Sequence, residues 1–307
     1  MHLLRLQVVV AAALVSLSGV SGQTKLLLTN DDGWAVGHIR AFFNLLDSTK
    51  AFSLLLSAPA QNESGTGSLD LPAGKVGSGG CEFSSCPGGA PAEGSDPTDA
   101  RLNYVNSYPV TSVKFGIQTL ASKVLGGKPD LVLSGPNVGG NTGVATFFSG
   151  TVGAATEAAK EGIPALAISG ASGSQVSFTT LSTPSDSTTA SNVYAALSIQ
   201  LTQALLASPS PILPNNTVLN VNYPATTGAC TSASAFKFVL TRIYDATIFS
   251  GPDASWCGVT RLPTETNIVG RAGCLASVSV MGSNKLDVSA ATQQIVAQKL
   301  SNILSCV

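Results

Sequence analysis

The feature that most constrains this chain is the run Leu26-Leu27-Leu28-Thr29-Asn30-Asp31-Asp32-Gly33. Three leucines and a threonine have the length and composition of a short buried strand. Polarity changes abruptly where that strand has to end. Two adjacent carboxylates follow, and then a glycine that permits a sharp turn. In open α/β sheets ligands bind in the crevice beyond the carboxyl ends of the strands. Adjacent carboxylates repel each other, and a divalent cation relieves the repulsion. Oxygen donors of this kind suit Mg2+, Mn2+ or Ca2+. The same residues also read as an Asx-type turn, with Asn30 and Asp31 capping backbone amides. The stretch by itself leaves both readings open.

Strand and helix signals alternate through the first two thirds of the chain. Residues 25–29 read as a strand and 38–46 as a helix, with Ile39, Phe42, Phe43 and Leu46 on one face. Residues 52–56 form the next strand. A long segment, 57–99, is rich in Gly, Pro and Ser, and loops of that length are usually functional or specially restrained. A helix follows at 112–124, a strand at 130–133, and a helix from Ser149-Gly150-Thr151 through Ala154, Ala155, Ala158 and Ala159. Residues 164–168 and 218–222 are strands, separated by a helix at 187–206. This repetition predicts a parallel sheet with helices on both faces. Residues 236–243 and 276–280 read as strands of an extension tied by Cys230, Cys257 and Cys274, and 288–304 as a terminal helix. The expected organisation is a segment 1–22, an α/β core 23–215, and a carboxy-terminal part 216–307 that carries the extension.

Residues 1–22 have the pattern of a secretory signal: His2 and Arg5, an apolar run over 8–15, then small residues at Val20-Ser21-Gly22. That run is too short to span a bilayer, and no later apolar stretch reaches about 18 residues. The expectation is a soluble, secreted protein with no membrane partner. Apolar residues make up 44% of the chain, enough for a large core, and charged residues only 11%. With 16 basic and 17 acidic side chains there is no basic face to hold a nucleic-acid polymer. The six cysteines are an even set, and an oxidising compartment favours disulfides. Cys81 and Cys86 are close enough to pair with each other; the remaining pairing stays open. Asn62-Glu63-Ser64 and Asn215-Asn216-Thr217 are glycosylation sequons, the second in a loop expected to be exposed.

The residue inventory excludes much chemistry. Beyond His2 the only histidine is His38, so mechanisms needing two histidines are closed. His38 itself opens a helix and reads as a surface residue. There is no Gly-x-Ser-x-Gly elbow, Cys-x5-Arg loop, Asp-x-Asp motif or P-loop. Chemistry run by carboxylates, amides, hydroxyls and a metal remains.

Four blocks in order then carry a specific resemblance: Thr29-Asn30-Asp31-Asp32-Gly33, Ala58-Pro59-Ala60-Gln61-Asn62-Glu63-Ser64-Gly65, Ser134-Gly135-Pro136-Asn137-Val138-Gly139-Gly140-Asn141, and Ser149-Gly150-Thr151-Val152. Order and spacing resemble the SurE survival-protein family of metal-dependent nucleotidases and phosphatases. The likeness covers roughly 25–169, with weaker echoes at Leu219-Asn220-Val221-Asn222 and Thr241-Arg242. It implies an α/β fold, a Rossmann-like three-layer sandwich with a mainly parallel sheet, plus a carboxy-terminal arm that often builds dimers or tetramers. A homodimer is therefore an expectation. It also implies one divalent cation, Mg2+ or Mn2+ with Ca2+ as the alternative, held by Asp31, Asp32, Ser64 and Asn137. Asp31, Asp32 and Asn137 would act in catalysis. Asn141, Ser149, Gly150 and Thr151 match the phosphate-contact segment of the family. Independently of that match, free amides and the dipole at a helix start favour an anion.

The reading that follows is a secreted phosphomonoesterase for small phosphorylated substrates, working through metal-activated water. Secreted fungal-type members of the family are the nearer likeness. Ala60 departs from the family pattern, which places a charged residue after the proline. This leaves a second reading, a binding protein that holds a phosphorylated or glycan ligand without turnover. Asn62 overlaps the block that carries Ser64, and it is expected to stay unglycosylated.

Overall fold

In the computed structural model, which describes residues 22–307, Leu26 and Leu28 pack into one apolar cluster and Leu27 into another. Successive side chains of a strand point to opposite faces, so this strand is covered on both sides. The expected signal segment lies outside the described residues except for Gly22. In chain order the principal elements are β1 (Thr24–Thr29), α1 (Gly37–Ser48), β2 (Phe52–Pro59), β3 (Glu93–Ser95), β4 (Leu102–Val105), α2 (Pro109–Phe115) and α3 (Ala121–Val124). Then come β5 (Leu131–Val138), α4 (Ala145–Phe148), α5 (Gly150–Lys160), β6 (Ala165–Gly170), α6 (Asp186–Leu206) and β7 (Thr217–Tyr223). The chain ends with β8 (Lys237–Thr241), α7 (Glu265–Val269), β9 (Leu275–Gly282) and α8 (Ala290–Lys299).

The strands form one sheet in the order β3-β4-β2-β1-β5-β6-β7-β9-β8. The six strands from β4 to β7 are parallel. α1 and α6 pack together on one face, with Phe42, Ile39, Tyr194 and Leu201 in that core. α2 and α5 cover the other face through Val113, Val152, Ala155 and Ala158. The alanines of α5 let the helix lie close to the strands. Chain progression goes from β1 outward to β2 on one side, and β5 adds on the other. The crevice between the carboxyl ends of β1 and β5 is therefore the switch point of the sheet, where ligands bind in folds of this kind.

Three expectations need correction. Residues 237–241 and 275–282 are not strands of an appendage, because β9 pairs antiparallel with β7 and β8 parallel with β9, continuing the main sheet. Both are buried along almost their whole length, and that burial comes from sheet neighbours far away in sequence. The segment 57–99 contains β3 and a short turn held by the Cys81–Cys86 disulfide, and so is specially restrained. The helix expected at 112–124 begins at Pro109 and is interrupted by a π turn at Gly116–Leu120. The other two bridges are Cys230–Cys274 and Cys257–Cys306, which tie the loops after β7 and β8 to β9 and to the chain end. Among the described residues, no helix is long and apolar enough to cross a membrane.

Candidate active site

The backbone leaves β1 at Thr29 and turns at Gly33, whose φ of 120° lies in the region that favours glycine. Asn30 staples this turn, donating from its amide to Gly33 O and accepting from Gly33 N. The Asx-type geometry and the paired acids thus coexist; the two readings are not alternatives. Asp31 and Asp32 are both buried. Asp31 accepts from Thr151 N at 3.0 Å on one oxygen and from Thr151 Oγ1 at 2.6 Å on the other. Asp32 accepts from Val138 N at 2.8 Å and from Gln175 Nε2 at 2.7 Å. Burial raises the pKa of Asp31, partly offset by the Thr151 bonds. Burial, and then the charge of Asp31, push Asp32 up to about 7. Two acids share a dry crevice in which full ionisation costs heavily without a neutralising charge.

Asn137 sits where β5 loses register with β6 between Ser134 and Asn137, a bulge that re-aims the side chain. Its Nδ2 donates to Gly139 O at 2.6 Å, while its Oδ1 is buried and has no hydrogen-bond partner. An orphaned acceptor beside two buried acids fits a hard cation, which takes oxygen donors. Ser64 Oγ donates to Asn62 Oδ1 at 2.7 Å, leaving its lone pairs uncommitted. Glu63 N donates to Asp31 O at 2.7 Å and fixes the Ser64 loop against the acids. Among the described residues no cluster of three or more His, Cys, Asp or Glu gathers. The donor set is two carboxylates and two neutral oxygens, and Mg2+ commonly takes one or two carboxylates with water and substrate phosphate.

The amino terminus of α5 stands next to the acids. A Cβ on Gly150 would come within 2.8 Å of Asp31 Cβ and of Pro109 Cγ, so only glycine allows this approach. Ser149 caps the helix, its Oγ accepting from Val152 N at 3.1 Å. Thr151 donates both its amide and its hydroxyl to Asp31. Asn141 is held by a polar lattice. Its backbone N donates to Asn222 Oδ1, its carbonyl accepts from Asn220 Nδ2, and its Nδ2 donates to Ser169 Oγ, all within 2.8 Å.

Several residues of the site went unselected by sequence reasoning. Gln175 joins the site from the loop after β6 and gives no local signal. Glu82, inside the Cys81–Cys86 turn, accepts from Ala35 N at 3.3 Å and occupies the space a side chain at Gly33 would need. Burial pushes its pKa up to about 8. Ala60, the departure from the family pattern, is fully buried, and its backbone carbonyl receives Glu82 N at 3.0 Å. Glu265 of α7 accepts from Gly143 N at 2.8 Å and from Asn220, bracing the Asn141 loop; burial pushes it up to about 8. Asn220 and Asn222, already marked by the weaker family echo at 219–222, lie two positions apart in a buried strand and share one face. His38 is not at the surface but buried, and burial lowers its pKa to about 4.

A doubly covered, mainly parallel sheet with paired buried acids at its switch point and a helix start beside them defines an α/β protein of the Rossmann-like class. The family model described as "Survival protein SurE" matches residues 26–248. The chain belongs to the SurE family. It is 34% identical over 297 residues to a protein named "Acid phosphatase" from Yarrowia lipolytica, covering 86% of this chain and 80% of that one. It is 32% identical over 201 residues to a "5'-nucleotidase SurE" from Geobacter metallireducens, covering 65% of this chain and 64% of the relative. The crystal structure of the SurE protein from Aquifex aeolicus aligns over 90% of this chain and 99% of that one, with a TM-score of 0.57 at 23% identity. That similarity confirms the Rossmann-like fold.

Proposed function

We propose that the protein is a divalent-metal-dependent phosphoric monoester hydrolase, a nucleotidase or acid phosphatase for small phosphate esters such as nucleoside monophosphates. The observation that carries this reading is the orphaned Oδ1 of Asn137 beside two buried acids, next to the start of α5. The names of the relatives, acid phosphatase and 5'-nucleotidase, support it. Asp31, Asp32, Ser64 and Asn137 would hold one Mg2+ or Mn2+, with Ca2+ as the alternative. The bound ion would polarise a phosphoryl oxygen and lower the pKa of the attacking water.

The chain's own residues do the rest. Asp31, clamped by Thr151, keeps a fixed orientation. Asp32, held on one oxygen by Val138 N and on the other by Gln175 Nε2, is the acid to orient or deprotonate the water. Asn141, Ser149 and Gly150 would receive the phosphoryl oxygens at the positive end of α5, and Thr151 would act through Asp31. Three disulfides suit an oxidising compartment, in keeping with secretion, and the exposed Asn215 suits a glycan. A homodimer belongs to the same proposal: Ile248 and Phe249, 93% and 90% exposed, leave an apolar loop tip for a second copy to cover.

The test is a phosphate-release panel of nucleoside monophosphates, sugar phosphates and an aryl phosphate, with and without chelator. Wild type should release phosphate, chelator should abolish release, and Asp32→Asn or Asn137→Ala should lose it while remaining folded by circular dichroism. Full activity in either variant would remove the site assignment.

A further inference from the structure

Asp32 is reached by a line of three polar side chains, one of which, Gln175, comes from a loop that the four family blocks do not include. Gln175 Nε2 donates to Asp32 Oδ1 at 2.7 Å. Gln175 Oε1 in turn accepts from Asn62 Nδ2 at 2.7 Å. Asn62 Oδ1 accepts from both Ser64 Oγ, at 2.7 Å, and Ser64 N, at 2.9 Å. Every hydrogen in this line points the same way, from Ser64 through Asn62 and Gln175 to Asp32. Donors aligned head to tail strengthen one another.

The direction has a consequence at each end. The Ser64 hydroxyl proton is committed to Asn62, so the oxygen turns its lone pairs elsewhere and acts as an acceptor or ligand. At the other end, Asp32 Oδ1 is fixed by the Gln175 amide while Oδ2 is fixed by Val138 N, so the carboxylate cannot rotate.

The backbone beneath Gln175 is built to hold that amide still. Gly37 N donates to Val176 O at 2.8 Å, and Phe178 N to Ala35 O at 2.9 Å, pinning the loop to the start of α1. On the other flank, Ser172 N donates to Tyr194 Oη at 2.9 Å. His38 Nε2 lies 3.2 Å from Ser172 O; a carbonyl only accepts, so Nε2 carries the hydrogen. Nδ1 lies 2.9 Å from Ser191 Oγ, which also reaches Ser187 O at 2.8 Å. The His38 ring also fills the space beside Gly173, two residues before Gln175. The single histidine among the described residues is thus a strut for the Gln175 loop.

We infer that Gln175 is a positioning residue of the metal site, orienting Asp32 directly and Ser64 through Asn62. This rests on the proposed metal site and adds a residue to it. Groups that hydrogen-bond to metal ligands set ligand orientation, and removing one costs about 10–100-fold in metal affinity.

The experiment is a titration with Mn2+ alone, followed by the electron paramagnetic resonance signal of the free ion, on wild type, Gln175→Ala, Asn62→Ala and the double variant. Gln175 and Asn62 are exposed, so thermal unfolding should show all four folded alike. Wild type should bind one ion per chain. Each single variant should bind about tenfold or more weakly. The double variant should bind no more weakly than either single one, because cutting a line twice removes no more than cutting it once. Gln175→Ala affinity within about twofold of wild type, or losses that multiply in the double variant, would overturn the inference and leave the metal site standing. Wild type that binds no Mn2+ would overturn the site reading as well.

Discussion

Asp31 and Asp32 are neighbours in sequence with different environments. Asp31 is held by one residue, Thr151, through two bonds; Asp32 is held by Val138 at the end of β5 and by Gln175 from the loop after β6. His38 shows the same dependence on environment. Burial favours the neutral ring and brings its pKa from 6.5 to about 4, against the bond to Ser172 O, which raises it. A depressed folded pKa means that this contribution to stability is complete above 6.5 and is lost as pH falls from 6.5 towards 4. The loss is on the order of 3 kcal/mol at the acid end. Proton NMR of the His38 ring should therefore give a midpoint near 4. A midpoint near 6.5 would show that the ring is not the buried strut of the Gln175 loop.

At the scale of elements, α7 is only five residues long, Glu265–Val269, yet it bears on the Asn141 loop. Thr264 caps it, and Glu265 reaches Gly143 N and Asn220 Nδ2 inside the core. Glu265→Ala would leave those donors buried and unpaired, a cost of about 1–3 kcal/mol, and would loosen Asn141. Burial raises the pKa of Glu265 from 4.5 to about 8, so its contribution is complete below 4.5 and is lost as pH rises through 8. Thermal unfolding of wild type should thus lose stability between those limits more steeply than Glu265→Gln, which keeps the shape without the charge. Equal slopes would contradict the placement of Glu265. The elements that sequence made legible were those with local signals. The leucines of β1, the amphipathic face of α1 and the alanines of α5 each state their partner surface within a few residues. β8, β9 and α7 gave no such statement, because their burial depends on a sheet edge set by β7. Asp31, Asp32 and Ser149 could be selected because each falls where a strand ends or a helix begins, and Asn137 because its block resembles the family's. Gln175 and Glu265 could not, because only the fold carries them to the site.

The whole molecule is a sheet extended on both sides of one crevice. The amino-terminal part supplies the acids, and β7 and the elements beyond it, stapled by Cys230–Cys274 and Cys257–Cys306, brace the Asn141 loop through Asn220, Asn222 and Glu265. The turn closed by Cys81–Cys86 braces the acid loop from the opposite side, with Trp34 Nε1 donating to Ser85 Oγ at 2.9 Å. Both flanks serve a single point between β1 and β5, and a cation at that point is the claim on which the function rests. Anomalous diffraction at the manganese edge, from crystals soaked in Mn2+, addresses it directly. The account predicts one strong peak at about 2.0–2.6 Å from oxygens of Asp31, Asp32 and Asn137. No peak among those three side chains, with manganese bound elsewhere or nowhere, would contradict it.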